Sequence, residues 1–526
     1  MRKVRNVISI RRYKVSVNKN KIRWIKRFKV WHKWPAIVMS FLALLFAASG
    51  IVMNHRTVFA SINVSRKLLP ADYTYRNWNL DAIKGSLFLS EDSVFIYGKG
   101  GVYHSNEDFD TFSAFNEGFE KGIDNRSVVA MQYTPRAGLV AGTLNGIFRY
   151  DNPTGWNKVN LPVKNQRITD VALKGDTLLV LTRDLLLTST DLKYFDTHQL
   201  PAPSTYKKET TWFKFLWNLH SGELFGLAGK LFVDLLGILV IILSITGLIH
   251  FFYPKFIKKE KRKSTKYRSV KATNLRWHNV LGYLGVVFVL SNALTGMFLR
   301  PPLLIAIANA KIGIIPYTHL DNINPWHDKL RKLTWNTKMQ RYVFSTSEGF
   351  YLADELLNYM AAPKVAQPPV SVMGCNALQQ VDEDEYLVGS FSGLFSWKLS
   401  TGAIYNLGAG EPWHNQAKTG RPISDHMVSG LLYQDNANIW YSDYNRGVVP
   451  VSGNRPFLAM PTLVEDTPMS LWNVCLEIHT GRIFEWLLGP FYILYVPLSG
   501  LSMLVVLVSG FFLWYWIHRG KPKRKT

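Results

Sequence analysis

Two periodicities divide this chain. In four places apolar residues run on for roughly 18 positions or more, the length that crosses a bilayer as a helix. These are Trp34–Met53, Leu235–Tyr253, Val280–Leu299 and Phe491–Ile517. After the first and third, the pattern changes to short runs of Val, Leu, Phe and Tyr broken by turn formers. SVFIYGKGGVYHS, GLVAGTLNGIFRY and DTLLVLTRDLLLTS in one insert read as strand–turn–strand, as do QRYVFSTSEGFYLA, EYLVGSFSGLFSWK and NIWYSDYNRGVVPV in the other. The turn positions recur at Gly101, Gly146 and, in place of glycine, Asp184, and then at Gly349, Gly393 and Gly447. Repeats near 40–50 residues with four short strands each are the pattern of β-propeller blades.

Each insert holds about three such units, too few to close a ring alone. The expected fold class is therefore an α+β membrane protein. A four-helix transmembrane bundle carries one extracytoplasmic β-propeller-like domain built from two inserts; the competing arrangement is two separate small β-domains. The expected order is a basic tail (1–30), a span (31–56), an insert (57–215), an interfacial segment with the second span (216–254) and a basic loop (255–276). A third span (277–300), a second insert (301–470), an interfacial segment with the fourth span (471–518) and a basic tail (519–526) follow. The stretch around Gly389–Trp397 resembles blades of regulator-type and WD40-like propellers.

The spans repeat. Trp31–Arg56 shifted by 246 residues falls without a gap on Trp277–Pro302, setting His32 on His278, Ser49 on Thr295 and Gly50 on Gly296. LWNLHSGELFG from Leu216 and the looser LWNVCLEIHTGRIFE from Leu471 set His220 beside His479. The reading is a tandem duplication of one unit: span, large insert, span.

Charge supplies the orientation. The net charge is +25, which invites a nucleic-acid partner, but its distribution argues against one. Residues 1–34 carry 13 basic residues and no acid, 255–276 carry ten and Glu260, and 519–526 carry five and no acid. The inserts are close to neutral. That is the positive-inside pattern, with both termini and the 255–276 loop cytoplasmic, the inserts outside, and anionic lipids the partner of the basic segments. The first span ends in Asn54-His55-Arg56 without a small-residue cleavage site, so it reads as a retained helix. Cys375 and Cys475 are the only cysteines; a bridge between them is permitted but not required. No CxxC, P-loop or dinucleotide fingerprint is present. Lys230 and Asp234, four apart, suit a helical ion pair, and Pro490 and Pro497 suit a kinked fourth span.

Seven of the 13 histidines stand at span ends: His32, His55, His220, His250, His278, His479 and His518. Ionisable groups near a bilayer are costly. His32 and His278 each precede a glycine by 18 residues, five helical turns, so histidine and glycine share a face. Two such imidazoles facing each other could supply both axial ligands of a haem iron, and His220 with His479 could do the same nearer the outer side. His55 is the rival on the outer side, His250 and His518 on the inner. The plainer reading, interfacial polar residues copied by duplication, remains open.

Lys29-Val30-Trp31-His32, Arg276-Trp277-His278, Leu219-His220-Ser221-Gly222, Ile478-His479-Thr480-Gly481 and the Thr246-Gly247 pair together resemble the PepSY-associated transmembrane helix family. The second copy departs in setting Arg276 directly against Trp277, and the inserts do not resemble a PepSY domain. The resemblance implies a bacterial inner-membrane protein with four helices, akin to haem-containing ferric-siderophore reductases. It carries haem ligation onto His32, His278, His220 and His479, and so implies two b-type haems. The expected function is electron transfer across the membrane to a ferric complex in the periplasm. No nicotinamide or flavin motif is visible, so the donor would be a quinol, a flavin or a flavoprotein. The alternative is a membrane-anchored propeller that binds or senses without a redox cofactor.

Overall fold

The computed structural model describes residues 19–308, 310–370, 373–413, 425–452, 457 and 459–518. It divides into two compact units. One comprises the chain through Asn54, Thr210–Ile312 and the chain from Ile478; the other comprises His55–Glu209 and Gly313–Glu477.

The first unit is a helical bundle. Its long helices are α1 (Lys19–Asn54), α3 (Gly226–Phe256), α4 (Thr265–Met297) and α7 (Tyr495–His518). A short helix, α2 (Trp212–Ser221), leads towards α3; the end of another, α5 (Leu471–Thr480), from Ile478 on, leads towards α7, with a four-residue turn, α6 (Glu485–Leu488), between them. Each long helix touches two others, in the cyclic order α1, α3, α4, α7, so α1 and α4 stand diagonally opposed. Four helical segments are long and apolar enough to cross a membrane: Asn20–Asn54, Glu223–Phe256, Thr265–Met297 and Arg482–Ile517. Leu231, Leu235, Ile238, Ile242 and Ile245 make an exposed apolar stripe along α3. Water would penalise such a stripe, whereas lipid matches it.

Several local expectations are corrected. The basic stretch before the first span is helical from Lys19, where Phe28 stacks on Phe512 and meets Trp516 of α7 edge-on, each at 5.4 Å. Residues 1–18 and 519–526 lie outside the described residues. The 255–276 loop is half helix: α4 starts at Thr265, where the Ser264 hydroxyl accepts from the Tyr267 N–H at 3.2 Å as an N-cap. Pro497 does not kink the fourth span. It sits in the first turn of α7, where no N–H is needed, and Pro490 opens a 3-10 segment before it. Lys230 pairs with Glu223 at 3.1 Å rather than with Asp234, which accepts from Asn54 at 3.0 Å. Cys375 and Cys475 are separate buried thiols.

The first-copy segment between His220 and the second span bends rather than running on as one helix. α2 stops at Gly222 in the left-handed region (φ 78°), and a second positive-φ glycine, Gly226 (φ 62°), opens α3. A Cβ on Gly222 would meet the Gly229 carbonyl at 2.2 Å, so only glycine allows that turn to fold onto α3. Gly481 (φ 80°) and Gly489 (φ 54°) repeat the arrangement after α5. Gly226 lies four residues after Gly222, whereas Gly489 lies eight after Gly481, and the excess is α6.

The second unit is β-rich. Among its described residues are six antiparallel sets of strands in chain order. Their first strands are Gly85–Ser90, Val128–Thr134, Ile168–Lys174, Leu330–Asn336, Ala377–Gln380 and Val428–Tyr433. Three sets come from each insert. Each first strand neighbours those of the sets before and after it, and the sixth neighbours the first. That last junction is parallel: Gly85 lies opposite Leu431, and the Leu431 N–H donates to Lys84 O at 3.1 Å. A Cβ on Gly430 would come within 2.6 Å of the Lys84 backbone, so glycine admits the close approach. The turn glycines anticipated from spacing, Gly101, Gly146, Gly349, Gly393 and Gly447, all have positive φ between the second and third strands of a set. In the third set, where Asp184 replaces glycine, the Thr182 hydroxyl donates to Leu185 O at 3.1 Å and accepts from the Leu185 N–H at 2.9 Å, bracing the same turn. Apolar layers between the sets bury Trp78, Trp156, Trp326, Trp397 and Trp440.

Candidate functional site

The bundle brings the repeat-related histidines together in pairs. The rings of His32 on α1 and His278 on α4 have centroids 6.2 Å apart, at 71°. The rings of His220 on α2 and His479 on α5 have centroids 6.1 Å apart, at 62°. Gly50, 18 residues beyond His32 on α1, packs against His479. At 1.5 Å per residue the two pairs therefore lie ~27 Å apart along that helix.

Each ring is seated by a Ser/Thr-Gly dipeptide on a neighbouring helix. His32 packs on Gly510, where an added Cβ would lie 2.8 Å from its ring, and its Nδ1 lies 2.9 Å from Val506 O. His220 packs on Gly296, again with 2.8 Å to an added Cβ, and its Nδ1 lies 3.0 Å from Asn292 O. His278 packs on Gly247 with 3.5 Å to spare, and its Nδ1 is 2.9 Å from the Thr246 hydroxyl. His479 packs on Gly50, also with 3.5 Å, and its Nδ1 is 3.0 Å from the Ser49 hydroxyl. The Leu243 and Phe46 carbonyls also bond the rings of His278 and His479. So all four rings meet the carbonyl three residues before the Ser or Thr, in Ser49-Gly50, Thr246-Gly247, Thr295-Gly296 and Ser509-Gly510. The local reason is helical: on one face, glycine removes the side chain where the ring lies, and the carbonyl one turn earlier points at the ring's nitrogen.

A carbonyl can only accept, so each Nδ1 carries the proton and each Nε2 keeps its lone pair. No partner for any of the four Nε2 atoms is found among the described residues. This is the tautomer of a metal-binding histidine whose other nitrogen is anchored. The centroid separations of 6.2 Å and 6.1 Å leave room for one metal ion between each two rings, so His32 with His278 and His220 with His479 would fit a haem iron. Among the described residues no group of three or more His, Cys, Asp or Glu forms a metal cage, so metal chemistry in the bundle would fall to the pairs.

The remaining candidates lie elsewhere. His55 belongs to the β-rich unit, at the head of the short helix Arg56–Phe59. His250 is exposed on α3, three residues beyond Gly247. The side chain of His518 is outside the described residues. Sequence reasoning paired the histidines but missed their seats. Asn292 was also missed: besides offering its carbonyl to His220 it donates from Nδ2 to His220 O at 2.9 Å, clamping α2 to α4.

A family model described as the PepSY-associated TM region matches residues 7–253 and again residues 203–519. No curated protein matches the chain. Solved structures resemble it only distantly. The extracellular domain described as that of a hybrid two-component system of B. thetaiotaomicron shares 10% identity at a TM-score of 0.36, covering 72% of this chain and 33% of its own. Virginiamycin B lyase from Staphylococcus aureus shares 8% identity at 0.34, covering 73% and 85%. PorZ of Porphyromonas gingivalis, a surface component of a type-IX secretion system, shares 10% at 0.30, covering 74% and 39%. The chain thus spans about a third of the first of these proteins.

Proposed function

The chain belongs to the family of the PepSY-associated TM region, and on that premise we propose that it binds two b-type haems and carries electrons across a bacterial inner membrane to a periplasmic ferric complex. The observation that carries the reading is the pair of facing imidazoles at 6.2 Å and 6.1 Å, each with its Nδ1 anchored. Haem, when bound, supplies one-electron redox chemistry within a medium that excludes ions. The chain's residues do the rest. His32 with His278, and His220 with His479, would hold the two haem irons through their Nε2 atoms. The Ser/Thr-Gly seats hold each ring in one tautomer and orientation, and the apolar helix faces exclude water.

Each ferric ion accepts one electron. The ferrous product has lower charge and is held less tightly by hard oxygen ligands, so reduction releases iron. A quinol, a flavin or a flavoprotein is the donor class. The basic segments support cytoplasmic termini and a periplasmic β-rich unit. We read the six strand sets as the blades of one propeller assembled from both inserts and closed at Gly85–Leu431, and the two halves of the chain as a tandem duplication.

The test is an oxidised-versus-reduced absorption spectrum of the purified full chain, with haem counted per chain. Two b-type haems are expected, one lost in His278→Ala and the other in His220→Ala. A haem-free protein after expression with ample haem supply overturns the reading and leaves a membrane-anchored β-domain.

A further inference from the structure

The β-rich unit holds a cavity of about 690 Å³, within the few hundred to a thousand Å³ of small-molecule sites. Its basic wall is Arg56, Lys158, Lys164 and Arg167, and Glu120 is its one carboxylate. Two of the cations are already matched. Arg56 donates to both oxygens of Asp124, each at 2.6 Å, and Lys158 reaches Glu120 at 3.6 Å. The side chains of Lys164 and Arg167 have no hydrogen-bond or ion-pair partner among the described residues.

The surroundings of Arg167 sharpen the imbalance. Burial, then the nearby guanidinium groups of Arg183 and Arg56, push its side chain down to about 9, against the weaker opposing pull of Asp328. Arg331 is likewise pushed down to about 10 by burial and by Arg183. Asp328 is already engaged by Arg183 at 2.7 Å. The Nε and Nη1 of Arg331 are committed to the carbonyls of Met373 and Leu330, both at 3.0 Å. Guanidinium groups gathered with too few carboxylates are costly in themselves and become favourable when an anion is brought to them. Arg167 offers the planar fork that takes a carboxylate or phosphate through two parallel bonds, and Asn145 and Gln166 place neutral polar groups on the same wall.

We propose that this cavity binds a small multivalent oxyanion, one charged group taken by Arg167 and another by Lys164. The site lies within the β-rich unit and stands apart from the histidine pairs, so it holds whether or not haem binds. It also fits a task the histidines cannot perform, selecting a soluble anionic ligand by charge and size.

The experiment is isothermal titration of the purified full chain with citrate and, separately, with pyrophosphate. Arg167→Gln and Lys164→Gln are titrated in parallel, and thermal unfolding checks that each is folded. Saturable binding of at least one anion, weakened tenfold or more in both variants and by added salt, is expected. The preferred anion identifies the ligand as polycarboxylate or phosphate. No binding of either anion overturns the proposal, as does binding that both variants retain. Lys164 is exposed, so its variant keeps the test valid if Arg167→Gln does not fold.

Discussion

His32 and His220, from the first half of the chain, are held differently from His278 and His479, from the second. The first two are pressed against their glycines, with 2.8 Å to an added Cβ, and their shortest Nδ1 contacts, 2.9 Å and 3.0 Å, go to backbone carbonyls. The second two sit looser, at 3.5 Å, and rest at 2.9 Å and 3.0 Å on hydroxyls of Thr246 and Ser49. Each facing pair joins one ring of each kind. Moreover, each ring is seated by the opposite half: His32 by α7, His220 by α4, His278 by α3 and His479 by α1. A backbone carbonyl cannot be removed by substitution, whereas a hydroxyl can. All four rings keep a backbone carbonyl, so the halves differ in how tightly the glycine packs and how close the hydroxyl lies.

The largest way to break this asymmetry is at the tight glycines. Gly510→Leu drives a side chain into His32 and should remove one of the two haems, read as haem per chain and loss of one spectral component. Gly247→Ala, in ordinary contact with His278, should keep both. Next come the hydroxyls. Thr246→Val should weaken haem retention at the His278 pair by less than the roughly 10–100-fold that goes with losing the whole anchor of a metal-bound histidine, because the Leu243 carbonyl still bonds the ring. Ser509→Ala should change little, because His32 bonds to Val506 O. Equal effects of these two substitutions would remove the distinction between the halves.

A third test lies in the β-rich unit. Asp184 is disfavoured as an anion by burial, yet bonds from His327 at 3.0 Å, Asn165 at 2.7 Å and the Asp328 N–H at 2.6 Å hold its carboxyl down to about 2. A depressed carboxylate stabilises the fold above its unfolded value near 4, and that stability fades as pH falls from there through about 2. Asp184→Asn should cost about 2 kcal/mol at neutral pH, read by denaturant unfolding, and leave the haem spectrum unchanged. The smallest effect is expected from deleting Glu485–Leu488. This removes α6 and restores the first copy's spacing while Gly481 and Gly489 keep their turns, so haem content should remain two per chain.

Much of this was legible in the residues. Uninterrupted apolar runs located the four spans because lipid leaves a chain few alternatives. The turn glycines located the strand sets because their positive φ excludes most other residues. The 246-residue shift set His32 against His278, and the bundle brings those rings within 6.2 Å of each other. What could not be read was which helix seats which ring. Gly50 looked like a partner on the face of His32, yet it backs His479, because helix adjacency is decided by tertiary packing that no single segment encodes. The Lys230–Asp234 pairing failed for the same reason: Glu223, brought close by the turn at Gly222, reaches the lysine first. Arg167 carried no signal, since an arginine in a loop between strands is unremarkable until three others are folded around it.

The reciprocal seating also sets an order of biosynthesis. The carbonyl that receives His32 is 474 residues downstream, on α7, which leaves the ribosome after α1, α3 and α4. His220 gains its seat when α4 emerges, but His479, which faces it, arrives only after the second insert is made. A chain stalled before α7 thus holds His32 without its seat, whereas the seats of His220 and His479, on α4 and α1, are already made.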